Sequence, residues 1–478
     1  MKRIFTNTGV VHFVGIGGIG MSGIADILLN LGYNVTGSDL KENAMIARLA
    51  RKGIKVTIGH EAKNVHGASV VVVSSAISKD NPEILEARKL HIPVVRRAEM
   101  LAELMKMKDS VAIAGTHGKT TTTSLIAAVL DQSGMDPTVV NGGVINAYNS
   151  NARLGSGDWI VVEADESDGS FTKLMSTIAV VTNIDFDHID NFKDFTELRN
   201  LFAQFVESIP FYGVAVLCID HPEVAKIAAS TIDRRVITYG LSENADVSCK
   251  DVSLSPSGSK FSVVFSDKLA KRYAINRRGW ENITLPMFGK HNVQNALAAI
   301  SVAIELGIPE ENVRLALGSF MGVKRRFTRV AEINGIAVID DYAHHPVEIA
   351  AVLNAARTSC KGRIYAIMQP HRHTRLKNFL GDFAKVLELS DYAFIAPIYS
   401  AGEANNDVDH FTLLKKVQEN GVVKAEFVQD VQTLAGKISD MLRPSDFVIF
   451  LGAGDITQWA YAFPKLIDKS INSDNSER

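Results

Sequence analysis

The run Ser110 to Thr122, SVAIAGTHGKTTT, holds the residue types that handle phosphate. A short β-branched stretch leads into Gly115-Thr116-His117-Gly118-Lys119-Thr120-Thr121, and a helical pattern follows. Glycines in that setting let backbone N–H groups turn toward phosphate oxygens. The helix N-terminus adds positive potential, and Lys119 reaches the outer phosphates. Thr120 offers a hydroxyl to Mg²⁺. The match departs from the pattern G-x-x-x-x-G-K-[ST] at one place, because Ile113 stands where the first glycine belongs. A plain strand-to-helix turn with an exposed lysine is the alternative. The coincidence of strand, glycines, Lys-Thr and helix favours phosphate with Mg²⁺.

Other chemistry-bearing residues cluster after apolar runs. Gly15-Ile16-Gly17-Gly18-Ile19-Gly20 follows VVHFV, and Asp39 comes about twenty residues later, as in a dinucleotide fingerprint. This predicts a nucleotide diphosphate on Gly15, Gly17, Gly18 and Gly20, and a ribose or base edge on Asp39; it does not specify nicotinamide. Glu163-Ala164-Asp165-Glu166-Ser167-Asp168 places acids where Mg²⁺ finds oxygen ligands. His188, in NIDFDHID, could hold a second metal or a γ-phosphate oxygen. Asn292 and Asn295, three apart, can face one way and bracket an adenine, although an N-cap role explains Asn292 equally well. Arg326, in Lys324-Arg325-Arg326, reads as a phosphate clamp or as part of a solvated linker. Asp340-Asp341-Tyr342-Ala343-His344-His345-Pro346 and Gln369-Pro370-His371-Arg372-His373-Thr374-Arg375 could bring histidines and arginines together. No zinc spacing stands out among these histidines. Arginines that grip a small carboxylate suit the pair of loops better.

Parallel sheets must position these residues. Apolar strand, turn and amphipathic helix alternate in three blocks, with boundaries near Lys108 and Val323. The predicted domains are 1–107, 108–322 and 323–478. Strands are expected at Val10–Val14, Tyr33–Thr36, Val70–Val73 and Val94-Val95, then at Trp159–Glu163 and Ile178–Asn183. Four more are expected at Ile336–Ile339, Ile364–Met368, Tyr392–Ile395 and Phe447–Leu451. Alternation between Ala245 and Trp280, including FSVVFS and KRYAI, predicts an antiparallel section. Asn292–Leu306 reads as a long helix stopped by Gly307. In such sheets ligands gather at the carboxyl ends of strands, where these motifs fall.

A chain of 478 residues suits about three domains. The net charge of −2 gives no electrostatic pull toward nucleic acid. Three scattered cysteines, Cys218, Cys249 and Cys360, suit free thiols in a reducing cytoplasm. The pattern predicts neither a signal peptide nor a membrane span.

GIGGIGMSG, AGTHGKTTT, EADESDGSF, GKHNVQNALAA, DDYAHHP and QPHR occur in an order that resembles the Mur ligases of bacterial cell-wall synthesis, over nearly the full length. The resemblance implies an α/β protein of three domains. They are an N-terminal Rossmann-like domain for a UDP sugar, a central P-loop ATPase-type domain, and a C-terminal Rossmann-like domain that closes over an amino acid. It implies ATP-dependent joining of L-alanine to the lactyl carboxylate of UDP-N-acetylmuramate through an acyl phosphate. It gives Lys119 and Thr120 to the ATP phosphates and Mg²⁺, Glu163 and His188 to metal, and Asn292, Asn295 and Arg326 to ATP. It sets Asp341 and Tyr342 at the ribose or active-site face, and His344, His371, Arg372 and Arg375 around L-alanine. Several sister ligases use a carbamylated lysine after the DH motif. Here only Lys193 lies in Asn191–Gln204, and no carbamate is assigned. The expected state is a monomer or weak homodimer without nucleic-acid or membrane partners. A dehydrogenase would leave the second phosphate loop unexplained. A non-catalytic ATP-gated module would bind nucleotide without alanine-dependent phosphate release. A ligase that adds a whole tripeptide is the nearer competitor, disfavoured by GIGGIGMSG.

Overall fold

The computed structural model describes residues 9–74, 76–167, 169–185, 192–255, 258–404 and 407–474. The architecture is α/β with three sheets. The first contains β1 (Val10–Val14), β2 (Asn34–Asp39), β3 (Lys55–Ile58), β4 (Ala68–Val73) and β5 (Val94–Arg96), in the order 3-2-1-4-5. All four pairings are parallel, which puts every strand's carboxyl end on one edge. This is the Rossmann-type order, and the loop after β1 lies at its switch point.

The second sheet contains β6 (Asp109–Ala114), β7 (Thr138–Ile145), β8 (Ser150–Arg153), β9 (Trp159–Glu163), β10 (Ile178–Val181), β11 (Val214–Cys218), β12 (Arg235–Tyr239), β13 (Val247–Ser255), β14 (Gly258–Phe265) and β15 (Gly279–Leu285). The order is 15-14-13-12-11-10-6-9-7-8. β6 is therefore flanked by β10 and β9, both parallel to it. The polar residues ending β9 and β10 must fall on either side of the loop after β6. KRYAI is not a strand as expected from its alternation. Asp267–Arg272 is a helix, and the Ser266 hydroxyl accepts from Leu269 N–H at 3.1 Å. A serine N-cap followed by good helix formers outweighs a short alternating pattern.

The third sheet contains β16 (Thr328–Ile333), β17 (Ile336–Asp341), β18 (Ile364–Met368), β19 (Tyr392–Ile395), β20 (Lys424–Phe427) and β21 (Phe447–Leu451), in the order 16-17-21-18-19-20. β16 is antiparallel to β17; the remaining pairings are parallel. The two edge strands, TRVAEI and KAEF, carry charges and little apolar signal, so the sequence alone does not announce them. The chain divides into two compact units. One is Met1–Val252, Lys260–Leu285 and Val293–Met321; the other is Ser253–Ser259, Pro286–Asn292 and Gly322–Arg478. The first unit holds the first sheet and most of the second. Among the described residues no helix is long and apolar enough to cross a membrane.

Candidate active site

β6 is buried from Ser110 onward, and the loop Gly115–Gly118 leaves it for the helix Lys119–Gln132. Ile113, the departure from the general phosphate-loop pattern, is still inside this strand and fully buried. An apolar residue is required there, and the turn begins at Gly115. Gly115 has φ +137°, and a Cβ on it would lie 2.0 Å from the Thr182 hydroxyl. Gly118 takes the left-handed N-cap position, and a Cβ there would lie 2.8 Å from Asn295 Oδ1. Gly118 offers no side chain to cap this helix, and the first turn carries no acid. That arrangement fits an anion at the N-terminus.

The end of β10 straps the loop down. Thr116 N–H donates to Asn183 O at 3.1 Å and His117 N–H to Asn183 Oδ1 at 2.7 Å. Thr182 donates to His117 O at 2.7 Å, and Asp185 N–H donates to the Thr116 hydroxyl at 2.8 Å. The Asp185 carboxylate meets His117 Nε2 at 3.1 Å and His221 Nε2 at 3.4 Å. Burial raises the Asp185 carboxyl, but the hydrogen bonds from His117 and His221 outweigh it and hold it well below its usual range. His117, expected to bind nucleotide, thus shapes the loop through its ring and its N–H. Asn183 and Asp185 were within reach of sequence reasoning, since they directly follow a central strand. His188 and Asp168 lie outside the described residues.

Lys119 folds over this loop. Its ammonium donates to Gly115 O and to Thr116 O and pairs with Glu166 at 2.8 Å. Burial alone would lower the lysine, yet the charges of Glu166 and Glu163 raise it, so it stays an ammonium. Glu166, buried after β9, is the partner that residue spacing did not single out from its acidic neighbours. Glu163 ends β9 and accepts from Gly142 N–H at 2.7 Å; a Cβ on Gly142 would lie 2.4 Å from that carboxylate. Asn295 meets the loop as well, accepting from the Thr122 hydroxyl at 3.1 Å. Lys119, Thr120, Thr121 and Glu163 are thus gathered at one strand edge, a donor set that fits a magnesium-bound triphosphate.

In the first sheet, Gly15 has φ +81°, and its N–H and that of Ile16 donate to Ser38 O at 2.9 and 3.0 Å. Asp39 ends β2 beside this loop. Its carboxylate accepts from Gly17 N–H and Leu40 N–H, both at 2.8 Å, and so braces the glycine loop.

In the second unit, the loops after β17 and β18 flank β21 at the carboxyl edge of the third sheet. They bring His344 and His371 together, with ring centroids 5.5 Å apart, and His371 stacks on Tyr399 at 5.6 Å. Tyr342 lies under Arg325 and Arg326, at 4.7 and 5.5 Å. Asp341 is buried and accepts from Phe327 N–H at 2.6 Å and Ala343 N–H at 2.7 Å. Burial pushes its carboxyl up to about 6, against the Arg326 charge and those bonds. Arg372 pairs through Nε with Glu403 at 2.5 Å, and Arg375 is buried beside this loop. His345 and His373 point elsewhere: His345 packs on Phe379 at 4.7 Å, and His373 meets Val408 O at 2.8 Å. Among the described residues no group of three metal-ligating side chains forms. Asn292 is not an N-cap. It lies inside the helix Lys290–Glu305 and donates to Phe288 O at 2.7 Å. Its neighbour His291 is pressed down to about 4 by burial and by the Arg326 charge.

His371 is held down to about 3, first by burial and then by His344, Arg375 and Arg372. Its ring is therefore expected to stay neutral, with carbon-bound proton shifts that do not move between about pH 5 and 8 in NMR titration. An unfolded histidine takes up its proton near 6.5, so this group withdraws stability as pH falls from there toward 3. A normal titration near 6.5 would show that the loop is open to water.

Residues 10–109 match the Mur ligase family catalytic domain, 113–303 the Mur ligase middle domain, and 325–454 the Mur ligase glutamate ligase domain. The chain belongs to the Mur ligase family. It is 56% identical over 467 residues to the UDP-N-acetylmuramate–L-alanine ligase of Bradyrhizobium sp. (strain ORS 278), covering 97% of this chain and 98% of that one. The Azorhizobium caulinodans enzyme of the same name is 54% identical over 464 residues, 96% of this chain and 98% of that one. The crystal structure of UDP-N-acetylmuramate–alanine ligase from Thermotoga maritima superposes with a TM-score of 0.82 at 30% identity, covering 97% of this chain and all of that one. As a Mur ligase the chain accounts for both glycine loops, and a nicotinamide enzyme does not.

Proposed function

We propose that this Mur ligase joins L-alanine to the lactyl carboxylate of UDP-N-acetylmuramate while ATP is cleaved to ADP and phosphate. The braced loop at Lys119, with Glu163 and Glu166 beside it, carries the reading. The likeness to two L-alanine ligases above half identity selects the substrates. The lactyl carboxylate attacks the γ-phosphoryl group, ADP leaves, and an acyl phosphate forms. The uncharged alanine amine then attacks the acyl carbon and gives up one N–H proton, and phosphate departs as hydrogen phosphate as the amide forms. Attacker and target in the first step are both anions, so Lys119 must offset their repulsion and hold the line of attack. Thr120 and Glu163, with His188, would hold Mg²⁺, which supplies further neutralisation of phosphate charge when bound. Asn292, Asn295 and Arg326 serve the nucleotide in this reading. Asp341 sets the backbone around Tyr342, and His344, His371, Arg372 and Arg375 surround the amino acid. Gly15, Gly17, Gly18 and Gly20 take the UDP diphosphate, and Asp39 holds that loop. The domains run 1–107, 108–322 and 323–478. Buried free thiols at Cys218, Cys249 and Cys360 suit the cytoplasm, where the reading places the enzyme.

Phosphate release with UDP-N-acetylmuramate, ATP and Mg²⁺ tests this, with L-alanine or the tripeptide L-alanyl-γ-D-glutamyl-meso-diaminopimelate as acceptor. Release that needs L-alanine is the expected result. Release with the tripeptide alone overturns it. Glycine should still react, because one methyl group is worth only ~1–3 kcal/mol of discrimination.

A further inference from the structure

Arg97 opens the helix Arg97–Met105 directly after β5, at the carboxyl edge of the first sheet. Nothing in the chemistry above uses it. Its guanidinium lies between two loops. On one side, a Cβ on Gly20 would lie 3.2 Å from Arg97 Cδ and Nη1, so glycine at this place lets the side chain rest against the first glycine loop. On the other side, Nη2 donates to Asp165 Oδ2 at 2.9 Å, between Glu163 and Glu166 in the chain. Arg97 is 16% exposed and Asp165 42%. The cation therefore spans the ground between the first glycine loop and the acidic turn after β9. The two sheets are tied to each other elsewhere as well. Arg48 already holds Ser150 at 2.5 Å and Asn151 at 2.9 Å, and Asn151 donates to Ile19 O at 2.6 Å, tying the first sheet to the second.

We propose that Arg97 binds the sugar nucleotide itself. It exchanges Asp165 for an oxyanion of UDP-N-acetylmuramate, diphosphate or lactyl carboxylate, and so directs the carboxylate toward Lys119. A planar guanidinium with parallel N–H donors matches either anion. The inference rests on the functional reading above.

The test is steady-state kinetics of Arg97→Ala and Arg97→Lys toward each substrate, with calorimetric titration of UDP-N-acetylmuramate and of UDP alone. For Arg97→Ala, KM for UDP-N-acetylmuramate should rise about tenfold or more, while KM for ATP and L-alanine stays within about twofold. Arg97→Lys should recover part of the loss, since it keeps the charge without the fork. A parallel loss of UDP affinity assigns the contact to the diphosphate; unchanged UDP affinity assigns it to the carboxylate. An unchanged KM for the sugar nucleotide overturns the proposal. So does a common rise in all three constants with a lowered Tm, the mark of a strut. Should Arg97→Ala fail to fold, the KM ratios of Arg97→Lys decide. If the wild-type enzyme does not use L-alanine, the functional reading falls, and the sugar-nucleotide titration still judges Arg97.

Discussion

Lys119→Ala is expected to lower the ligation rate about a thousandfold or more, measured as alanine-dependent ADP formation. Removing one preorganised donor from a developing oxyanion typically costs about 10²–10³ in rate. Lys119 should exceed that range because it carries a full charge into a reaction between two anions. The fold should persist. The helix Lys119–Gln132 starts at Gly118, and the loop is strapped by Asn183, Thr182 and Asp185, none of which needs the lysine. The exposed liability is Glu166, buried and left without its cation. A carboxyl in that position takes up a proton rather than remaining charged, which limits the damage to stability. Circular dichroism of the variant should match the wild type. A variant that still turns over at the wild-type rate would remove the loop from the mechanism.

Glu83→Ala, in the helix Pro82–Lys89 between β4 and β5, should destabilise the protein by about 3–5 kcal/mol, the range for breaking a buried charged network from one side. Glu83 is wholly buried. One carboxylate oxygen accepts from Ser38 Oγ at 2.7 Å and meets His12 Nε2 at 3.1 Å; the other accepts from Asn64 at 2.7 Å and lies 3.4 Å from His60 Nδ1. The loss should reach function, because the Ser38 carbonyl holds Gly15 and Ile16. Burial raises this carboxyl, but hydrogen bonds from His12, Asn64 and Ser38 outweigh it and lower it below 4.5. The unfolded chain therefore binds the proton more readily. The stabilisation is whole above pH 4.5 and is lost as pH falls through the lower folded value. Thermal unfolding against pH, with Glu83→Gln as comparison, checks both statements: the variant should lack this acid-side slope. An Ala variant within about 1 kcal/mol of wild type would mean the network contributes little.

The two glycine loops were legible because their signal is local. Gly-rich turn, preceding strand and following helix sit in one short window, and the conformations they need are available chiefly to glycine. Several central strands were legible for a similar reason: buried parallel strands are near-continuous apolar runs, as in WIVVE, IYAIM and FVIFL, although the equally buried VAVLC of β11 was not among them. KRYAI failed because a serine N-cap decided its conformation, and the edge strands β16 and β20 failed because edges tolerate charge.

By itself, then, the sequence marked which turns carry the glycines and lysine that phosphate binding needs, which apolar runs are buried strands, and that three α/β blocks succeed one another. Only the tertiary structure decided which side chain each turn meets. Inserting β6 between β9 and β10 set Glu166 on Lys119 and Asp185 on His117, and inserting β21 between β17 and β18 brought His344 to His371. It also turned Asp39 back onto its own loop and placed Arg97 between two loops far apart in the chain. The reason is geometric. Local propensity acts within a few residues, whereas strand order joins segments separated by tens of residues, and no spacing along the chain encodes that order.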